Sequence, residues 1–302
     1  MGPMGAYSDL DRPPLQERVL NRALTRDGSF WRDIRVVERT GSTNADLAEQ
    51  VRSAAAAGGS LAEGAVLVAE TQTAGRGRLG RAWNAPPRSG LMFSVLLRPG
   101  AAVPPVRLGW VPLLTGVATA AAIRSVTARA GAGDFGDAPR GGGVVDAGLK
   151  WPNDLLVGER KLAGILAERV EDAVIVGVGL NVSLRADELP VPSATSLLLE
   201  GAAVVDREIV LRAVLRELAL RYTEWRAADG DPDGSGLRAA YREHSATVGR
   251  EVRIELPGGG TATGTAVDVD AEGRLVVRSD GKERAFSAGD VVHVRNPRPT
   301  GH

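Results

Sequence analysis

The stretch AVIVGVGLNVSLRADELPVPSATSL, residues 173–197, decides which mixed α and β architecture this chain can adopt. Its apolar run and its two glycines, Gly177 and Gly179, superficially match the opening of a dinucleotide-binding βαβ unit. That unit requires a third glycine and a helix start directly after the strand. In this chain Asn181 is instead followed by a polar, proline-containing loop, so a Rossmann arrangement is excluded. What remains is a strand whose glycines let a ligand lie against its backbone, with Asn181 as a polar contact at its end.

Just upstream, KWPNDLLVGERKLAGIL (150–166) carries two β-type runs separated by Gly158 and Glu159, the composition of a two-residue hairpin turn. In that register Leu156 lies opposite Lys161. Asp154, two residues back, shares the same face at a diagonal of roughly 7–8 Å, which a lysine can span. A carboxylate and an ammonium therefore converge, either as a structural ion pair or as a site. Asn153 and Asp154 could offer oxygen ligands to Mg²⁺, and Lys161 a point charge to a phosphate.

Further out, Ile34–Glu38, AVLVAE and LMFSVLLRP read as strands, and LKWPNDLLV, KLAGILAERV and AVIVGVGLNVSL as three more β runs. GSTNADLAEQVRSAAAAGG reads as a helix with Ser42 or Thr43 as its cap and glycines at its end. The long apolar segment from Leu108 to Ala130 reads as a buried helix with Pro112 in its first turn. Residues 206–226 form an amphipathic helix capped by Asp206, with Leu211, Val214, Leu215, Leu218, Tyr222 and Trp225 on one stripe. Residues 1–30 hold one short helix with Leu15, Val19 and Leu24 on a shared face, in an arm expected to be partly flexible. The Gly-rich segment 131–148 is expected to be a mobile insertion. From about Thr247 to Asn296 the pattern turns to short alternating strands broken by Gly and Asp, the mark of a small SH3-like β-barrel. Helices and strands followed by a run of strands indicate an α+β catalytic domain carrying a β module. The expected division is an arm to residue 30, a catalytic domain 31–245, a β domain 246–296 and a flexible tail 297–302.

Lys plus Arg equals Asp plus Glu at 37 each, so no global basic excess points to nucleic acid, and any anion must be met by local clusters. With no cysteine, disulfides, thiolate metal sites and cysteine nucleophiles are excluded. His244, His293 and His302 are scattered, with no catalytic or metal-ligand spacing. No run approaches the roughly 18 consecutive apolar residues of a membrane span, and the start lacks the order of a signal peptide. A soluble, cytoplasmic protein is expected.

Two further stretches bear on chemistry. In GSTN (41–44), the hydroxyls of Ser42 and Thr43 with Asn44 stand at a helix start. They can serve as plain caps or can grip a polar, uncharged ligand. In ETQTAGRGRLGRAWNAPPRSG (70–90), Arg76, Arg78, Arg81 and Arg88 stand among glycines, as guanidinium forks suited to phosphate or carboxylate on a pliable backbone. Such alternation can also mark an RNA-binding tract. Its place between two apolar strands and before Trp83 suits an ordered loop able to fold over a nucleotide. The glycines lack the P-loop spacing.

Taken in order, GSTN, ETQTAGRGRLGRAW, KWPNDLLVGERKLAGIL and GVGLNV closely resemble the biotin protein ligase family, its actinobacterial members in particular. The match spans about residues 31–245, and the β-rich tail fits that family's C-terminal SH3-like domain. The resemblance implies a catalytic domain similar to that of class II aminoacyl-tRNA synthetases, a mixed sheet with helices. About 40 residues precede GSTN, too few for the family's DNA-binding domain, so the monofunctional class is expected and no DNA partner. The resemblance further implies ATP-dependent formation of biotinyl-5′-AMP, with Mg²⁺, and transfer of biotin to a lysine of a carboxylase's biotin carboxyl-carrier domain. It places Ser42, Thr43 and Gln72 on the biotin ureido ring, with Asn44, Gly75 and Arg76 beside them and Gly164 and Leu166 on the biotin wall. Arg78 and Arg81 would neutralise phosphates, Trp83 would cover the adenine, and Asn153 and Asn181 would meet the nucleotide. Lys161 would bridge the biotin carboxylate and the α-phosphate, and Asp154 would serve Mg²⁺. Lys161, Arg78 and Asp154 would thus be catalytic. A monomer or weak homodimer away from membranes is expected. The competing readings are a lipoate or octanoate ligase on the same fold and a non-catalytic biotin sensor.

Overall fold

The computed structural model describes residues 11–131, 143–256 and 258–294. The first ten residues of the arm, positions 132–142 of the Gly-rich segment, and the end of the chain with His302 lie outside them, as do the expectations of mobility made there.

The first sheet has seven strands: β1 (Asp33–Val37), β2 (Ala65–Ala69), β3 (Gly90–Leu97), β4 (Gly148–Lys150), β5 (Asp154–Val157), β6 (Arg160–Val170) and β7 (Ala173–Asn181). Their order is β1-β2-β3-β7-β6-β5-β4, with β1 and β2 parallel and the other pairs antiparallel. The run LKWPNDLLV is two strands, not one. A turn at Trp151–Asn153, with a cis Trp151–Pro152 peptide, separates β4 from β5.

Alternation along the strands sorts the two faces. Val66, Val68, Phe93, Val95, Val176 and Val178 join one core, and Leu67, Leu96, Ala173 and Ile175 the other. Over the first face lie α1 (Glu17–Leu24), α3 (Trp110–Gly131), α4 (Arg207–Ala227) and α5 (Leu237–His244). Over the second lies α2 (Thr43–Ala56), through Leu47, Ala48 and Val51. The stripe expected on α4 is fully buried, and Asp206 caps it by accepting from Glu208 N and Ile209 N. On α1 the buried pair is Leu20 and Leu24, four residues apart, and Val19 faces outward at 42 % exposure. The face is set by packing against β1 and α4, which the short periodicity did not reveal.

The helical stretch Pro105–Ala128, most of it α3, does reach the length and mean hydropathy of a membrane span, yet 67 % of its most apolar window is buried inside the protein, as befits a core helix. The described end of the Gly-rich segment is pinned: Val145 is buried and its N–H donates to Thr127 Oγ1 at 3.1 Å.

The second sheet holds β8 (Glu251–Glu255), β9 (Thr261–Val269), β10 (Leu275–Ser279), β11 (Lys282–Phe286) and β12 (Asp290–His293), all antiparallel, in the order β11-β10-β9-β8-β12. This is the small antiparallel β module expected after Thr247, and among the described residues no pairing between β11 and β12 closes it into a complete ring.

Candidate active site

A cavity of about 370 Å³ lies on the α2 face of the first sheet and under the arginine loop, with β12 closing one side. The register explains why it exists. Ser94, Gly177 and Leu166 form one row across β3, β7 and β6, and Met92, Gly179, Gly164, Asp154 and Lys150 form the next, out to β4. Three of these positions are glycines, so the sheet surface is recessed where neighbouring strands carry side chains.

The recess is filled in part by the protein itself. A Cβ at Gly177 would overlap Asn44 Oδ1, and one at Gly179 would overlap the Trp83 indole. These glycines therefore make room for two side chains of this chain, where a ligand alone was expected.

At the α2 end, Ser42 is the helix cap and Thr43 and Asn44 its first residues, all three nearly buried. Thr43 N donates to Gln72 Oε1 at 2.8 Å, and Thr43 Oγ1 lies 3.1 Å from the same oxygen. Ser94 Oγ sits 2.6 Å from both Thr43 Oγ1 and Asn44 Oδ1. Asn44 Nδ2 donates to Glu168 Oε2 at 2.6 Å and to Leu166 O at 3.2 Å.

At the other end, Lys161 Nζ is 2.7 Å from Asp154 Oδ1 and 5.8 Å from the Trp83 ring centroid. The hairpin register that brings Lys161 and Asp154 together is as read from the turn, with one irregularity after Leu155 that puts Gly164 opposite Asp154. Asp154 Oδ1 is buried, and its contact with Lys161 is an ion pair. Asn153 holds the turn by donating from Nδ2 to Ile165 O at 2.9 Å.

The arginine loop is a small hairpin of its own. Trp83 N donates to Gly75 O at 2.8 Å, Gly77 N donates to Arg81 O at 2.6 Å, and Leu79 and Gly80 turn the chain with φ of 55° and 73°. Its two central arginines are held by protein acceptors. Arg78 donates to Asn153 Oδ1 at 3.3 Å and to Gly289 O at 3.4 Å, and Arg81 pairs with Asp290. Burial pushes the Arg78 guanidinium below its ordinary range, opposed by Asp290 and Asp154.

Of the residues singled out in the sequence, Ser42, Thr43, Asn44, Gln72, Arg76, Arg78, Arg81, Trp83, Asn153, Asp154, Lys161, Gly164, Leu166 and Asn181 all line this cavity. Gly75 does not; it packs against the Trp83 carbonyl and Gln72 Nε2. Asn181 is buried and donates to Thr195 O at 2.8 Å, which ties β7 to the following loop. Sequence reasoning missed Ser94, Lys150, Glu168 and Asp290. Lys150 stands inside a motif already quoted and could have been named, whereas nothing in the strand pattern distinguishes Ser94 or Asp290 from neighbours. Among the described residues no group of three or more acidic or histidine side chains could hold a metal ion alone.

Comparison with known proteins adds family context. Residues 36–183 match the model of the Biotin/lipoate A/B protein ligase family, and residues 247–294 that of the Biotin protein ligase C terminal domain. The chain is 45 % identical over 284 residues to a biotin--[acetyl-CoA-carboxylase] ligase of Mycobacterium tuberculosis, covering 94 % of this chain and 97 % of that one. Its fold is similar to that of a biotin protein ligase from Aquifex aeolicus in complex with biotin and ATP. The TM-score is 0.67 at 27 % identity, over 88 % of this chain and 100 % of that one. It is also similar to a biotin protein ligase from Leishmania major in complex with biotinyl-5-AMP, with a TM-score of 0.56 at 26 % identity, over 85 % and 99 % of the two chains.

Proposed function

Since the chain belongs to the biotin protein ligase family, we propose that this one cavity activates biotin with ATP and hands it to a lysine of an acceptor protein. The observation that carries the reading is the polarity of the cavity. Uncharged donors and acceptors from α2 and Gln72 stand at one end, and Lys161, Arg78 and Arg81 at the other.

In the first step a biotin carboxylate oxygen attacks the α-phosphorus of ATP, the bond to the β-phosphate oxygen breaks, and pyrophosphate leaves. Both reactants are anions, so their repulsion must be cancelled where they meet. Lys161 takes that place between carboxylate and α-phosphate, and Arg78 and Arg81 turn to the phosphates. Trp83, on the floor made by Gly164 and Gly179, covers the adenine side, and Asn181 shapes its far end. In the second step the acceptor amine attacks the acyl carbon, AMP leaves, and the amine proton is released. No enzyme nucleophile is needed, consistent with a chain that has no cysteine. Closure of the arginine loop over the mixed anhydride would keep water from it.

Asp154 Oδ1, buried and paired with Lys161 Nζ at 2.7 Å, and Asn153 Oδ1, which accepts from Arg78, are the oxygens that would serve a hard cation once Lys161 and Arg78 turn to the phosphates. One carboxylate plus phosphate oxygens is a common way to hold Mg²⁺, and a bound ion would add positive charge against the triphosphate. The division of labour proposed is an arm to residue 30, a catalytic domain 31–245 and a C-terminal domain 246–296. The partner is a biotin carboxyl-carrier domain in the cytoplasm, met by a monomer or weak dimer without DNA.

Biotin-dependent exchange of pyrophosphate into ATP tests the reading. Exchange driven by lipoate or octanoate and not by biotin would overturn it.

A further inference from the structure

The hydrogen bonds at the α2 end of the cavity have only one self-consistent direction. Asn44 Nδ2 faces two acceptors that have no proton to give, the Leu166 carbonyl and the Glu168 carboxylate. Its amide is therefore oriented, and Oδ1 must face Ser94. A serine hydroxyl has one proton, and the 2.6 Å contact to Asn44 Oδ1 takes it. The equally short contact between Ser94 Oγ and Thr43 Oγ1 then requires the proton of Thr43. Gln72 Oε1 accepts from Thr43 N and keeps a second lone pair, but the single proton of Thr43 is taken by the shorter contact to Ser94, so the 3.1 Å contact to Gln72 receives none. Thr43 is left with lone pairs only toward the cavity. Gln72, whose oxygen is held, is left with its amide protons.

We infer that Ser94, Asn44 and Glu168 are positioning residues that make Thr43 an obligate hydrogen-bond acceptor, and so select an acid whose ring carries an N–H. This rests on the biotin reading and deepens it. Biotin's cyclic urea supplies such an N–H, whereas a dithiolane or a plain acyl chain cannot. Asn44, expected to touch the ligand, spends both amide protons on the protein. The family model covers ligases of both kinds of acid, so a device that separates them has a use. Gly177 belongs to it, since only glycine leaves space for the Asn44 amide.

The test pairs protein variants with ligand variants. Binding to the full chain is measured by calorimetry for biotin and for its two cyclic carbamate analogues, each with one ureido N–H replaced by a ring oxygen. Wild type should bind the analogue whose oxygen faces Thr43 about 100-fold more weakly than biotin, two lone pairs then being opposed. In Ser94→Ala the Thr43 hydroxyl is free to turn and donate, so the ratio should fall to about 10-fold or less. Glu168→Lys, at an exposed position of β6, pulls the Asn44 amide the other way and should also shrink the ratio, providing the answer if Ser94→Ala does not fold. Equal weakening of biotin and analogue in these variants would overturn the inference, leaving Ser94 a packing residue. So would a wild type that accepts both analogues as well as biotin while still running biotin-dependent exchange. A wild type that binds no biotin would instead sink the functional reading itself, and the inference with it.

Discussion

Arg81 of the arginine loop is ion-paired with Asp290 at the start of β12, so the loop over the cavity is tied to the C-terminal sheet. Arg78 reinforces the tie through the adjacent Gly289 carbonyl. A carboxylate thus sits on the guanidinium that the proposed mechanism turns toward phosphate.

Asp290→Asn should accordingly ease nucleotide entry. The Arg81 side of the pair is 67 % exposed, and such pairs are worth at most about 1 kcal/mol. The KM for ATP in pyrophosphate exchange should fall by roughly two- to fivefold, the factor such an energy allows. A raised KM would mean that Asp290 aids the bound state.

Lys161→Ala should cost about 10³-fold in the rate of adenylate formation measured in a single turnover, the scale of losing one oriented charge at a reacting centre. Transfer from preformed biotinyl-5′-AMP to an acceptor should fall much less. Equal loss in both steps would place Lys161 in binding alone.

Gly177→Ala sets a methyl against Asn44 Oδ1. Overpacking of that kind costs about 1–3 kcal/mol, readable as a shifted urea midpoint at unchanged slope. Biotin affinity should drop as well, because the Asn44 amide has to move. An alanine variant as stable as wild type would show that the strand gives way instead.

His293 makes the junction between the two sheets sensitive to acid. Its Nε2 lies 3.2 Å from Thr247 Oγ1, and burial, with the charges of Lys150 and Arg250, pushes it from 6.5 down to about 4. The folded value is below the unfolded one, so on acidification the unfolded chain takes up the proton first. Stability from this group is full above pH 6.5 and is lost as pH falls from 6.5 to about 4, at up to about 1.4 kcal/mol per unit. Urea titrations at pH 7 and pH 5 should show the loss, and His293→Asn should reduce it. An unchanged pH dependence in the variant would assign the effect elsewhere.

Much of this protein is determined by local pattern. The helix beginning at Ser42, the stripe on α4, the hairpin that brings Lys161 to Asp154 and the change to short strands after Thr247 all follow from periodicity, caps and turn residues, which act over a few neighbours. The four motif stretches meet in one cavity only through the tertiary fold, which brings together the start of α2, the loop between β2 and β3, the β4–β5 turn with its hairpin, and the interior of β7. Other features depend on residues far apart in the chain. Gly177 and Gly179 could be read only as open backbone until Asn44 and Trp83 were seen to occupy them. Ser94 lies in an apolar strand and becomes a relay only because β3 runs beside β7 under α2. The pairing of Arg81 with Asp290 spans 209 positions. Contacts of that range leave no trace in composition or period, because partner and direction are chosen by how sheets and loops pack and by which protons are left to share.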